Sequence, residues 1–217
     1  MKRLFFFGLA FFLVVWVGQS FAYGPYNRGR VTIVKLGYFS PKAVKPGFIG
    51  GIMVGSSVDE NVDVGISVDY FSRSYKKDEL VAKTVSEGGL VQSTMQRTLD
   101  FSTQAIPITA SIVVKFSNQM PFTFFLGGGL GYQLLFNKET NYQENVSERR
   151  FYRGFGWQLE GGAMYRIGQR SWFFGEVFYN SATPSRNKNK NAQGLPTWEQ
   201  VDISGVGVRL GVRLGGY

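Results

Sequence analysis

Along five segments of this chain every second residue is apolar, and none of those residues is charged. The register runs through Val62, Val64, Ile66, Val68 and Tyr70, then on alternate residues from Ile106 to Phe116, Phe122 to Phe136, Phe155 to Ile167 and Val206 to Leu214. A period of two belongs to β-strands whose two faces meet different surroundings. The intervening register carries Asp63, Asp69, Lys115, Gln133, Gln158, Glu160, Arg166, Arg209 and Arg213, with glycines at 65, 127, 129, 131, 156, 162, 207 and 211. Alternation alone also suits a soluble sandwich or lipocalin with its apolar face inward. Residue size separates the two cases. A dry protein core needs bulk, whereas here the small residues crowd the polar face, which suits a narrow lumen. Aromatic residues such as Tyr70, Phe116, Phe122, Phe136, Phe155 and Tyr165 stand near segment ends on the apolar face, as girdles at a lipid–water boundary do. The pattern therefore predicts strands with oily side chains facing lipid.

Eight segments are expected as strands, near 31–40, 47–57, 62–76, 97–116, 121–137, 151–167, 171–182 and 199–217. Short turns at 58–61, 117–120 and 168–170 alternate with longer polar links at 77–96, 138–150 and 183–198, plus a modest one at 41–46. Short turns on one rim and longer loops on the other are expected of outer-membrane barrels. The fold class read from this pattern is an all-β, eight-stranded antiparallel up-and-down transmembrane β-barrel.

Met1-Lys2-Arg3, the apolar run Leu4 to Val17 and the small residues Ser20 and Ala22 read as a secretory signal cleaved after Ala22. Residues 1–22 are thus assigned to a signal peptide and 23–217 to the barrel. A membrane-spanning helix would need ~20 apolar residues, and Gln19 comes too soon. With no Cys and no His, disulfide frameworks, thiolate or imidazole metal sites and a Ser-His-Asp relay are excluded, and no cofactor is expected. The net charge of +9 would suggest nucleic acid in a cytosolic chain, but export and the lack of a basic helix argue against that partner. Gly127 to Gly131 lacks the Gly-Lys-Ser/Thr of a phosphate loop. Asp59-Glu60-Asn61 reads as a turn rather than a calcium loop, and Asn145-Val146-Ser147 as a chance match to a glycosylation acceptor.

Lys35-Leu36-Gly37-Tyr38-Phe39-Ser40-Pro41, Ile106-Pro107-Ile108-Thr109, Phe125 to Tyr132 and Gly175-Glu176-Val177-Phe178-Tyr179 resemble strands one, four, five and seven of small eight-stranded outer-membrane β-barrels, the OmpA/OmpW-like group. The resemblance covers nearly all of the chain after residue 22 and implies residence in the outer membrane. It also implies that the terminal aromatic, Tyr217, forms part of the signal read by the barrel-insertion machinery. Gly215, Arg213 and Arg209 occupy positions where the family pattern has apolar residues. Either a bulge at Gly215-Gly216 shifts the phase or the signal is weak.

With Glu176 from the seventh strand, the expected lumen holds four acids (Asp63, Asp69, Glu160, Glu176) and four bases (Lys115, Arg166, Arg209, Arg213). Such a set survives in a narrow space only if paired. Asp63 is expected to meet Lys115, and Glu176 to lie between Arg209 and Arg213. A balanced ladder reads as a plugged interior. The excess positive charge then falls on loops, where Lys76, Lys77, Arg149, Arg150, Arg186, Lys188 and Lys190 are candidate contacts for lipopolysaccharide phosphates. The expected role is structural or interactive: a non-enzymatic monomer among outer-membrane lipids, serving envelope integrity or adhesion through its loops. The alternatives are a narrow channel for small molecules and, third, a lipid-modifying barrel enzyme working without histidine.

Overall fold

The structure, a computed structural model, describes residues 29–85, 91–117, 121–141, 146–188 and 197–216, so the assigned signal peptide lies outside the described residues. Every regular element among them is a strand: β1 (Arg30–Pro41), β2 (Gly47–Asp59), β3 (Val62–Val85), β4 (Val91–Ser117), β5 (Phe122–Asn141), β6 (Val146–Gly168), β7 (Ser171–Ala182), β8 (Ser185–Lys188), β9 (Thr197–Gln200) and β10 (Gly205–Gly215). Each of β1 to β6 pairs antiparallel with the next, β10 pairs with both β7 and β1, and these eight strands close a barrel. Closure satisfies every ladder group inside the membrane, where water is absent.

The two registers face opposite ways, as their solvents require. Outward, Leu130 is 72% exposed and Phe155 82%, while Arg209 and Arg213 are each 1% exposed inside. Aromatic pairs gird the outer wall at both ends. Phe122 meets Tyr165 at 5.5 Å near the short turns, and Tyr132 meets Phe155 at 5.2 Å and Phe136 meets Phe151 at 4.9 Å near the other rim.

The interior departs from a purely polar and glycine-lined lumen. One apolar layer, built from Val31, Ile33, Met53, Val113, Phe125, Met164 and Phe174, lies toward the short-turn rim. A second, including Phe39, Ile49, Phe71, Leu135, Tyr152 and Phe178, lies toward the opposite rim. Charged residues are sandwiched between and below these layers.

Three expected boundaries are corrected. The links at 77–96 and 138–150 are largely strand: β3 and β4 pair out to Val85 and Val91, and β5 and β6 out to Asn141 and Val146. A transmembrane strand needs ~9–11 residues, so β3, β4, β5 and β6, with 24, 27, 20 and 23, rise well above the bilayer. There the apolar period of the sequence vanishes while the ladder continues. The segment expected as a last strand over 199–217 is broken. Its start belongs to the β8–β9 hairpin, which joins the wall where Ser185 pairs with Arg153, and β10 begins only at Gly205. Between them the Ser204 amide donates to Asp202 Oδ1 at 2.9 Å, and Ile203 is buried in the upper apolar layer. At the other rim Gly215 and Gly216 both adopt positive φ, 83° and 80°, which turns the chain inward at the base of β10.

Candidate functional site

The buried charges form two layers. Near the short-turn rim, Asp63 on β3 accepts from Arg213 of β10 at 2.8 and 3.1 Å, from Lys115 of β4 at 3.0 Å and from Ser57 at 2.5 Å. The Arg213 guanidinium also lies 4.5 Å from the Trp172 ring. Halfway up, Arg209 reaches three acids: Asp69 at 3.3 Å, Glu160 at 3.0 Å and Glu176 at 2.5 Å. The Glu176 contact is an ion pair lying off the Nε–H direction, so it contributes charge rather than a hydrogen bond. Gln158 donates to Glu160 at 2.9 Å, and the Phe178 ring covers the Arg209 guanidinium at 3.9 Å.

Backbone register explains how so large a group fits. Gly37, Arg209, Glu176 and Gly162 stand directly opposite one another across β1, β10, β7 and β6. A Cβ at Gly37 would strike the Val208 carbonyl and the Arg209 side chain, and one at Gly162 would strike the Gly175 carbonyl. The glycines on the inward register therefore make room for the ions beside them.

Of the residues expected in this network, Asp63, Asp69, Lys115, Glu160, Glu176, Arg209 and Arg213 are buried together. Arg166 is not among them. It is exposed at the rim, where Nε and Nη2 donate to the turn carbonyls of Gly168 and Gln169 at 3.1 and 2.8 Å. One residue of the network was missed: Lys35, buried on β1, approaches Glu160 at 3.6 Å. Its signal was in the sequence, because Val34, Leu36 and Tyr38 flank it on the outward register. Between the charged layers, a void of about 20 Å³ bordered by Lys35, Asp63, Glu176 and Arg213 has room for ~1 water.

Above the bilayer a second charged cluster ties the β8–β9 hairpin to the wall. Arg150 contacts Glu139 at 3.2 Å and Glu148 at 2.6 Å, and Arg186 bridges Glu148 at 3.2 Å and Glu199 at 3.1 Å. Hydrogen bonds from Arg150 first and Arg186 second pull the pKa of the Glu148 carboxyl down to about 2. Two of the expected lipopolysaccharide contacts, Arg150 and Arg186, are thus engaged by acids of the chain itself. Arg149 is exposed on the outer wall. Lys76 and Lys77 lie on β3 above the bilayer, in register with Asp100 and Leu99, and Lys188 ends β8. Lys190 and Tyr217 lie outside the described residues.

Comparison with known proteins bears on this geometry directly. The sequence pattern of the family described as outer membrane protein beta-barrel domain matches residues 21–183. The chain belongs to that family. It is accordingly an outer-membrane β-barrel protein, with its short turns toward the periplasm and its raised wall outside the cell. Its fold is similar to that of the outer membrane protein OprG from Pseudomonas aeruginosa, at 12% identity with a TM-score of 0.54, covering 87% of this chain and 96% of that one. It is also similar to a major outer membrane protein from Thermus thermophilus, at 14% identity with a TM-score of 0.52, covering 85% and 98%. Neisserial surface protein A shares 18% identity with a TM-score of 0.49, covering 86% and 96%. No curated protein matches the chain by sequence.

Proposed function

We propose that this barrel is sealed, and that it works through its extracellular wall and hairpin, in surface contact or envelope integrity, rather than by passing solutes. The observation that carries the reading is the mid-lumen arrangement of Arg209. The residue is 1% exposed, its guanidinium held by three carboxylates and covered by Phe178, with an apolar layer on either side. A solute crossing the barrel would have to displace a buried cation from three acids, leaving charges uncompensated at a cost of several kcal/mol. The eight-stranded circumference favours the same conclusion, since side chains fill a barrel of that size.

The outward half of the molecule supplies the alternative workplace. Four strands rise beyond the bilayer, and ion pairs brace a hairpin against them. Proteoliposomes carrying the full chain test both halves of the proposal. Arabinose should swell them no faster than protein-free liposomes, and their retention on an epithelial cell layer should fall when 186–199 is replaced by a short Gly-Ser link. Faster swelling overturns the sealed lumen. Undiminished retention by a replacement that keeps its heat-modifiable gel mobility overturns surface contact through the hairpin.

A further inference from the structure

Pairing of β5 with β6 sorts the charges above the bilayer by face. Glu139 and Glu148 stand directly opposite one another on the barrel side, where Arg150 binds both. Lys138 and Arg149 stand directly opposite one another on the outer side, and both are charged alike. Like charges across a ladder repel. Arg153, also on the outer wall, adds a third cation one aromatic pair lower, beneath Phe136 and Phe151. Among the described residues none of the three has an ion-pair partner. Among the described residues Asp100 is an acid on that face diagonal to Lys138; it is in register with Lys76 and accepts from Ser74 at 3.5 Å.

Below the cations, past the Tyr132–Phe155 pair, the outer wall carries a shallow apolar groove. Ala110 and Gly128 form its floor, and Ile112, Leu130, Trp157 and Leu159 its sides. From Leu134, the cross-strand partner of Arg153, to Gly128 is six residues of β5, ~20 Å along a strand tilted ~40°, or ~15 Å of depth. That depth is one leaflet of a ~30 Å hydrocarbon core.

From this geometry we infer a lipid site: Lys138, Arg149 and Arg153 bind the phosphate of an acylated, phosphorylated lipid of the outer leaflet, and the groove over Gly128 receives one of its chains. Charge complementarity selects the occupant. The three cations sit on the aromatic belt, at headgroup height, where anionic lipid phosphates lie and where a charge-assisted bond to phosphate relieves the Lys138–Arg149 repulsion. The inference does not depend on whether the lumen is sealed.

The test uses the purified full chain in a neutral detergent, with retained lipid counted by native mass spectrometry. The probes are diphosphorylated lipid A, the same lipid enzymatically dephosphorylated, and inorganic phosphate. The phosphorylated lipid should bind at least ~10-fold tighter than the dephosphorylated one, with each of K138Q, R149Q and R153Q losing ~5-fold. Filling the groove with Gly128→Leu should weaken the lipid while leaving the cations in place. Arg166→Gln, at the opposite rim, should change nothing, and heat-modifiable mobility confirms that each variant is folded. Equal binding of the dephosphorylated lipid, full affinity in the folded triple variant, or inorganic phosphate competing as well as the lipid would each overturn the inference.

Discussion

Arg213 of β10 and Asp63 of β3 meet across the lumen with both Arg Nε and Nη2 on the carboxylate, at 2.8 and 3.1 Å, although their strands are not neighbours in the barrel. The pair works as a strut across the periplasmic end. Asp63 is also the acid that Lys115 contacts there, so one carboxylate compensates two buried cations.

Asp63→Asn should therefore destabilise the barrel by ~3–5 kcal/mol, because it strands Lys115 and Arg213 without an acid. Lys115→Met should cost less, since Asp63 keeps Arg213 and Ser57. Urea unfolding in lipid bilayers, followed by tryptophan emission, measures both. A D63N barrel as stable as the parent would show that the pairing contributes nothing.

The row Gly37, Arg209, Glu176, Gly162 makes a steric prediction. Gly37→Val should block formation of the heat-modifiable folded band, because the added atoms collide with backbone as well as with Arg209. Gly50→Ala, whose nearest neighbour is the flexible tip of Leu36 at 3.2 Å, should fold normally. Equal folding yields for both variants would contradict the packing.

Acid should release the hairpin late. Because Arg150 and Arg186 hold the Glu148 carboxyl below its ordinary 4.5, its contribution is complete above that value and disappears only as pH falls through about 2. A carboxyl-carbon NMR titration should place the Glu148 midpoint near 2, and Glu148→Gln should loosen β8 and β9 at neutral pH, seen as faster amide exchange. A midpoint near 4.5 would mean that neither arginine binds it.

What could be read in advance follows from where solvent differs across the wall. Within the bilayer, lipid keeps the outward register of β4, β5 and β6 apolar and uncharged, so topology and facing were legible from the residues alone. On β1 both faces are apolar: Val31, Ile33 and Phe39 point inward while Leu36 and Tyr38 point outward. That masked the alternation around Lys35, and the two apolar layers escaped notice because inward positions on other strands, among them Met53, Val113, Phe125, Leu135 and Met164, are apolar as well. Above the bilayer both faces are wet, so Lys138 to Asn141 carry no apolar period although they stay in the ladder. Arg166 was misplaced for a related reason: at the last turn of a strand an inward position opens to water, and its side chain reaches the turn carbonyls instead.

In the proposed function, Arg209 and its three acids close the barrel. Single-channel recording in planar bilayers tests it most directly. The purified chain should give no ion steps, while Arg209→Ala, by removing the guanidinium and leaving three carboxylates around a gap, should give small cation-selective ones. Reproducible steps from the unaltered protein, changed in size by Glu176→Gln, would contradict the account.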